Sequence, residues 1–351
     1  MSEIAGIPKQ VNRDYSMDIL RIMASLAVVL IHVSARYFLF SEINSFNWKI
    51  SNLFLSCTRW CVPIFFMLSG CFLLDKNISI KILWKKYVLR LLIILISWNV
   101  IYHIPRHKSI IFSISDIINL FFSPGAGFHL WFLYSLIGIY IVIPFLHKIV
   151  QCGLSRYLLL LWFLTCVFLR NINFPNGCDL FTSNIIHFPF CIEYIGYFVL
   201  GYFLNKEISL SINQRKLIYS IGCVSLIVIM VGTYVLCRFT GNRSEYFYDY
   251  LNIFNVLVSI ALFVFFRYDV HVCYKGRLSV KMKKLISLLS FSSLGVYLIH
   301  VYVLIIISKF ITYLSFGALY AIPIIWLTTI VISFIISFIL SKIPVINILV
   351  K

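Results

Sequence analysis

Residues 17–38, MDILRIMASLAVVLIHVSARYF, decide what kind of fold this chain adopts. The stretch is mostly apolar over about 20 residues, the length that an α-helix needs to cross the hydrocarbon core of a bilayer. Its apolar residues run on continuously and do not alternate with polar ones, which favours a helix over a strand of a membrane barrel. We therefore expect a membrane-spanning helix here.

Similar apolar windows follow along the rest of the chain. Of the 351 residues, 61% are hydrophobic and 12% are charged, and the mean hydropathy is +0.97. A soluble domain carries about 25% charged residues, so lipid must be the solvent for much of this surface. We predict an all-α polytopic membrane bundle of about ten transmembrane helices, at residues 17–38, 53–74, 87–104, 128–147, 156–171, 187–204, 216–237, 250–267, 285–308 and 317–340.

Basic residues gather in alternate loops, most densely between Arg267 and Lys284. The positive-inside rule places these loops in the cytoplasm and predicts that both termini are cytoplasmic. The expected organisation is a cytoplasmic tail at 1–16, a membrane domain at 17–341 and a cytoplasmic tail at 342–351. The same bias explains the formal net charge of +18, so we expect membrane lipids and no nucleic acid among the partners.

Ten cysteines are scattered through the chain, mostly inside apolar runs. Cys57 and Cys61 are four residues apart and have no nearby pair of histidines at ligand spacing. This pattern is typical of buried thiols and predicts no metal site.

Arg21 and His32 are the most informative polar residues of the first span. They are 11 residues apart, which on an α-helix returns to within about 20° of the same face and rises about 16 Å. That stripe suits a long ligand with an anionic head and a reactive end, such as a thioester of coenzyme A. In the alternative interpretation Arg21 is an interfacial anchor and His32 packs between helices.

Further polar residues form two groups. Near the cytoplasmic side, Ser69 and Gly70 permit a close approach to the second span, and Lys86 and Arg90 enter the third. The five residues of the other group lie in outer halves of spans and predict a polar chamber that opens outward: Arg59, His129, Trp131, Glu193 and His300. Packing and charge anchoring remain the alternatives for every member of both groups.

Together these motifs resemble the acyltransferase-3 family of integral membrane acyltransferases, which includes bacterial enzymes that O-acetylate surface polysaccharides. DILRIMASLAVVLIH (18–32) resembles its Arg-x10-His signature, and VPIFFMLSGCFLL (62–74) its second-span motif, with Cys71 where Phe is usual. The other similar stretches are HLWFLYSLIGIYIVIPFL (129–146), CIEYIGYFVLGYFL (191–204) and FSSLGVYLIH (291–300). Before the third span, Tyr87 stands where the family often has Arg.

The resemblance implies an O-acetyltransferase of the bacterial inner membrane, with acetyl-CoA as acyl donor and no bound cofactor. The acceptor would be a cell-surface or lipid-linked glycan such as lipopolysaccharide O-antigen. It further implies that His32 and Arg21 are catalytic, and that Arg21, Lys86, Arg90, Ser69 and Gly70 bind the donor. A transporter or flippase for a lipid-linked glycan is the alternative. Such a carrier would not need Arg21 and His32 on one helix face, because it binds no acyl donor and uses no base.

Overall fold

The computed structural model describes residues 13–107, 128–172, 192–274, 277–310 and 317–350, and within these ranges it contains helices and turns but no strand. The main helices are α1 (Tyr15–Phe40), α2 (Phe46–Ser56), α3 (Cys61–Leu73), α4 (Leu89–His107), α5 (Trp131–Gln151), α6 (Ser155–Trp162), α7 (Ile192–Tyr202), α8 (Ile212–Thr240), α9 (Ile253–Phe265), α10 (Val280–Phe310) and α11 (Ala318–Lys342). Short π-helical segments precede α4 and follow α6, α7 and α9: Leu83–Val88, Phe163–Phe168, Phe203–Glu207 and Phe266–Val270.

Among the described residues, seven helical stretches are long and apolar enough to cross a membrane. These are Tyr15–Phe40, Phe46–Leu73, Phe128–Gln151, Ile212–Thr240, Tyr246–Tyr274, Val280–Lys309 and Ala318–Lys342. They overlap seven of the expected spans and confirm the all-α polytopic membrane fold. The expected spans at 87–104, 156–171 and 187–204 overlap α4, α6 and α7, so the total of ten stays a prediction.

The expected second span is two consecutive helices. α2 ends at Ser56 and α3 begins at Cys61, with a turn between them. Pro63 lies in the first turn of α3, where its missing N–H removes no helical hydrogen bond. Pro63 is therefore compatible with the first turn of α3.

α1 lies at the centre of the bundle and packs against α2, α3, α10 and α11. The side chain of Asp14 caps its first turn by accepting hydrogen bonds from the backbone N–H groups of Ser16 and Met17, at 3.0 and 3.4 Å. Because neighbours surround α1, both Arg21 and His32 lie within the bundle and not on its lipid-facing surface.

α3 and α7 approach each other closely through two glycines. A Cβ on Gly70 would lie 1.7 Å from the carbonyl oxygen of Phe198, and one on Gly201 would lie 2.0 Å from that of Met67. Helices pack this closely in membranes where small residues let their backbones meet. This contact fixes α7 against α3 and carries Tyr194 to the edge of the site described next.

Candidate active site

Three histidines from different parts of the chain form a cluster inside the bundle. His32 lies on α1, His129 in the turn just before α5, and His300 on α10. The ring centroid of His32 is 5.0 Å from that of His300 and 6.3 Å from that of His129, and the last two are 5.4 Å apart. His129 and His300 are fully buried, whereas His32 is half-buried and borders a cavity.

The hydrogen bonds of His300 indicate where its ring carries hydrogen. Its Nδ1 lies 2.6 Å from the carbonyl oxygen of Tyr297 and 3.2 Å from that of Val296. Since a carbonyl oxygen only accepts, Nδ1 is the donor, and the neutral ring has a lone pair on Nε2. Among the described residues that Nε2 is buried without a hydrogen-bond partner, and so is at least one ring nitrogen of His129. Buried polar atoms without a partner cost about 1–3 kcal/mol each, so they mark this cluster as a candidate binding centre.

The first cavity, here the His32 cavity, has a volume of about 740 Å³. Its charged lining residues are Arg36, Arg59, Glu245 and Asp249. Its aromatic lining residues are Phe128, Trp131, Tyr194, Tyr248 and Tyr250. Mixed charge and exposed rings give this cavity both hydrogen-bonding groups and apolar faces.

The second cavity, here the Arg21 cavity, has a volume of about 350 Å³ and lies between α1, α3, α4, α5 and α10. Arg21 and Arg90 are its charged lining residues, and none of the described residues that line it is acidic. Its hydroxyl-bearing lining residues are Ser69, Tyr140, Ser290, Ser293 and Tyr297. The cavity is therefore positively charged, and the hydroxyls of Ser69, Ser290, Ser293 and Tyr297, which donate within the protein, offer it acceptor lone pairs.

Tyr297 separates the Arg21 cavity from the histidines. Its ring lines that cavity, and its centroid is 5.7 Å from that of His129 and 6.1 Å from that of His300. Its hydroxyl donates a hydrogen bond to the backbone carbonyl of His129. The ring of Tyr297 therefore lies between the Arg21 cavity and the histidine cluster. On its other side the cluster borders the His32 cavity through His32.

Asp18 lies near Arg21 and far from His32, as expected from its position on the helix. It accepts hydrogen bonds from Arg13 Nε at 2.5 Å and from Ser290 Oγ at 2.6 Å, and its carboxylate is 4.0 Å from Arg21 Nη1. These contacts hold the beginning of α1 against α10 and leave His32 without a carboxylate from its own helix.

Four of the predicted residues line the cavities beside Arg21 and His32. Ser69 and Arg90 border the Arg21 cavity, and Arg59 and Trp131 border the His32 cavity. The guanidinium carbon of Arg59 lies 4.4 Å from the ring centroid of Tyr248, an arrangement that holds the cation against the aromatic wall.

Besides His129 and His300 of the histidine cluster, three predicted residues line neither cavity. Lys86 is exposed, with its Nζ 5.9 Å from the ring centroid of Tyr87. Gly70 faces the backbone of α7, as described above. Glu193 is exposed and forms an ion pair with Arg170 at 3.3 Å. The position of a residue along a span indicates its depth in the membrane. It does not indicate whether the side chain faces a cavity.

The structure reveals several lining residues that no sequence motif marked as functional. Asp249 and Tyr250 border the His32 cavity, and Tyr297 and Tyr140 border the Arg21 cavity. An acidic residue inside the aromatic run YFYDY, residues 246–250, was the available signal for the first pair. Tyr297 lies three residues before His300 in the stretch FSSLGVYLIH, from which only the histidine was predicted to be functional.

Comparison with known families gives one match. The family model described as an acyltransferase domain matches residues 14–342. This range includes both cavities and all three histidines of the cluster. No curated protein and no solved structure matches the chain.

Proposed function

This chain belongs to the acyltransferase-3 family and is a membrane acyltransferase, and we propose that it is an O-acetyltransferase of the bacterial inner membrane. The donor in this proposal is cytoplasmic acetyl-CoA, and no cofactor is bound. The acceptor is a hydroxyl of a cell-surface or lipid-linked glycan, such as lipopolysaccharide O-antigen.

The observation that carries the proposal is that two chemically different cavities approach one histidine cluster, with His32 lining one cavity and Tyr297 lying between the other cavity and the cluster. The Arg21 cavity is positively charged and narrow, which suits an anionic donor with a thin arm. The His32 cavity is larger and lined by rings and carboxylates, which suits a polyhydroxylated acceptor. Acyl transfer needs both substrates to reach one base, and His32 borders the acceptor side of that cluster.

Arg21 and Arg90 are the donor-binding residues in this proposal. A guanidinium pairs with phosphate oxygens through two parallel hydrogen bonds, so both suit the phosphates of coenzyme A. A volume of about 350 Å³ holds the pantetheine arm more readily than the whole nucleotide, which would stay near the entrance. Ser69 would hydrogen-bond the arm, Gly70 would keep α7 against α3 behind it, and Lys86 would attract the phosphates from outside.

The proposed chemistry is direct transfer with His32 as general base. His32 removes the proton from the acceptor hydroxyl while the hydroxyl oxygen attacks the thioester carbonyl. The carbon–sulfur bond then breaks, and the coenzyme A thiolate takes the proton from the imidazolium of His32. A neutral imidazole suits this role because one of its ring nitrogens has a free lone pair that can accept the proton.

Mass spectrometry of surface glycans from cells with and without the gene tests the proposed function. We expect glycans of the wild-type cells to carry a mass increase of one acetyl group per modified sugar, and the increase to disappear on deletion. Identical glycan masses in both strains, with the protein present in wild-type membranes, would refute it.

A further inference from the structure

One wall of the His32 cavity is aromatic. Trp131, Tyr194 and Tyr250 all border this cavity and contact one another. The ring centroids of Trp131 and Tyr250 are 5.7 Å apart with an angle of 29° between the planes, and those of Trp131 and Tyr194 are 5.3 Å apart. The parts of these three half-buried residues that border the cavity are here called the aromatic surface.

Hydrogen bonding from the neighbouring helices holds this surface in place. The hydroxyl of Tyr197, on the same helix as Tyr194, donates to the backbone carbonyl of Tyr250. Tyr194 stacks on Phe66 with a centroid distance of 5.0 Å. A surface fixed in this way loses little conformational entropy when a ligand binds.

Asp249 lies beside the aromatic surface and also borders the cavity. One oxygen, Oδ2, is 2.7 Å from Arg170, and the other, Oδ1, accepts a hydrogen bond from the backbone N–H of Leu251 at 2.8 Å. A carboxylate offers about four lone-pair sites, so roughly two remain for a ligand. The side chain is 33% exposed and is therefore held in place without being covered.

We propose that Trp131, Tyr250 and Asp249 form the acceptor subsite for a hexopyranose ring, with one apolar face of the sugar on the aromatic surface and its hydroxyls donating to Asp249. A sugar ring presents C–H groups on its faces and hydroxyls at its edge. The C–H groups are attracted to the negative face of an aromatic ring, and the hydroxyls need acceptors. This inference rests on the proposed function and adds which residues choose the acceptor.

Transfer of radiolabelled acetyl from acetyl-CoA to a series of methyl hexopyranosides, by the purified full-length protein in detergent, tests this subsite. Asp249→Asn keeps the shape but loses the charged acceptor, so we expect the KM for the best hexoside to rise roughly 10- to 100-fold. The kcat should change much less, since Asp249 does not act on the reacting atoms. Trp131→Leu removes an aromatic ring from the surface but keeps the ion pair between Asp249 and Arg170. It should also raise the KM for the hexoside.

Asp269→Asn is the matched control. Asp269 forms an ion pair with Arg215 at 2.7 Å, the same distance as that between Asp249 and Arg170, but it borders neither cavity. Its replacement should leave the hexoside KM at the wild-type value. Wild-type transfer with an unchanged KM in both Asp249→Asn and Trp131→Leu would overturn the subsite and leave the proposed function standing. A wild-type protein that acetylates no hexoside and leaves cell glycans unmodified would overturn both.

Discussion

The Arg21 cavity and the His32 cavity both border α1 and α10, yet they differ in size and chemistry. The first measures about 350 Å³ and is lined by cations and hydroxyls. The second measures about 740 Å³ and combines arginines with carboxylates and aromatic rings. One helix therefore borders two different environments because different neighbours surround its two ends. The histidine cluster borders the second cavity through His32 and is separated from the first by Tyr297.

The largest expected effect comes from His32→Gln, which tests whether the cluster does chemistry or only packs. Glutamine keeps a hydrogen-bonding side chain of similar reach but cannot act as a base near neutral pH. We expect acetyl transfer to fall roughly 10²- to 10⁴-fold, the range typical of a lost general base. Glycan acetylation is measured in cells that contain each variant at matched membrane levels, with acetyl-CoA binding as the control. Wild-type acetylation from His32→Gln would reduce the cluster to a packing contact.

The next effect tests the charge of the Arg21 cavity. Arg21→Ala should raise the KM for acetyl-CoA roughly 10- to 100-fold, because a charged hydrogen bond to phosphate is lost. Arg21→Lys keeps the charge without the two-pronged geometry and should raise it less. Arg238→Ala is the control, since Arg238 lies in the last turn of α8 and borders neither cavity. If donor KM is the same in Arg21→Ala as in this control, the cavity does not bind the donor.

Gly70→Ala tests whether Gly70 has a packing role between α3 and α7, in contrast to Ser69, which lines the Arg21 cavity. The new methyl group would collide with the carbonyl oxygen of Phe198, so α3 and α7 must separate. Overpacking of this kind costs about 1–3 kcal/mol, and thermal unfolding in detergent should show the loss. Ser69→Ala, one residue earlier, should instead change the donor KM with little loss of stability. An unchanged unfolding temperature in Gly70→Ala would contradict the observed packing.

The smallest effect concerns the entrance to the Arg21 cavity. Lys86 is exposed and Arg90 lines the cavity, although both are predicted to bind phosphate. Lys86→Ala should raise the donor KM less than about fivefold, because exposed ion pairs contribute little. Arg90→Ala should raise the donor KM more than Lys86→Ala does. A higher salt concentration should reduce the difference in donor KM between Lys86→Ala and wild type. A larger effect from Lys86→Ala than from Arg90→Ala would reverse the assignment of these residues.

Much of this site follows from helix geometry alone. Arg21 and His32 share one face of α1 because 11 residues are close to three full turns, whatever surrounds the helix. Ser69, Arg90, Arg59 and Trp131 could likewise be placed from span depth, and the structure puts each on a cavity wall. Glu193 fails this reasoning because depth does not say which side of α7 faces inward. Glu193 is exposed and pairs with Arg170, which also pairs with Asp249 on the wall of the His32 cavity.

The sequence by itself determined that the chain is an all-helical membrane protein and that Arg21 and His32 lie on one stripe. Both conclusions depend on local periodicity and on the backbone's need for internal hydrogen bonds in lipid. Only the tertiary structure decided that His129 and His300 meet His32, that Gly70 supports α7, and that Asp249 enters the His32 cavity. These depend on which helices become neighbours, which long-range packing selects and no local pattern specifies.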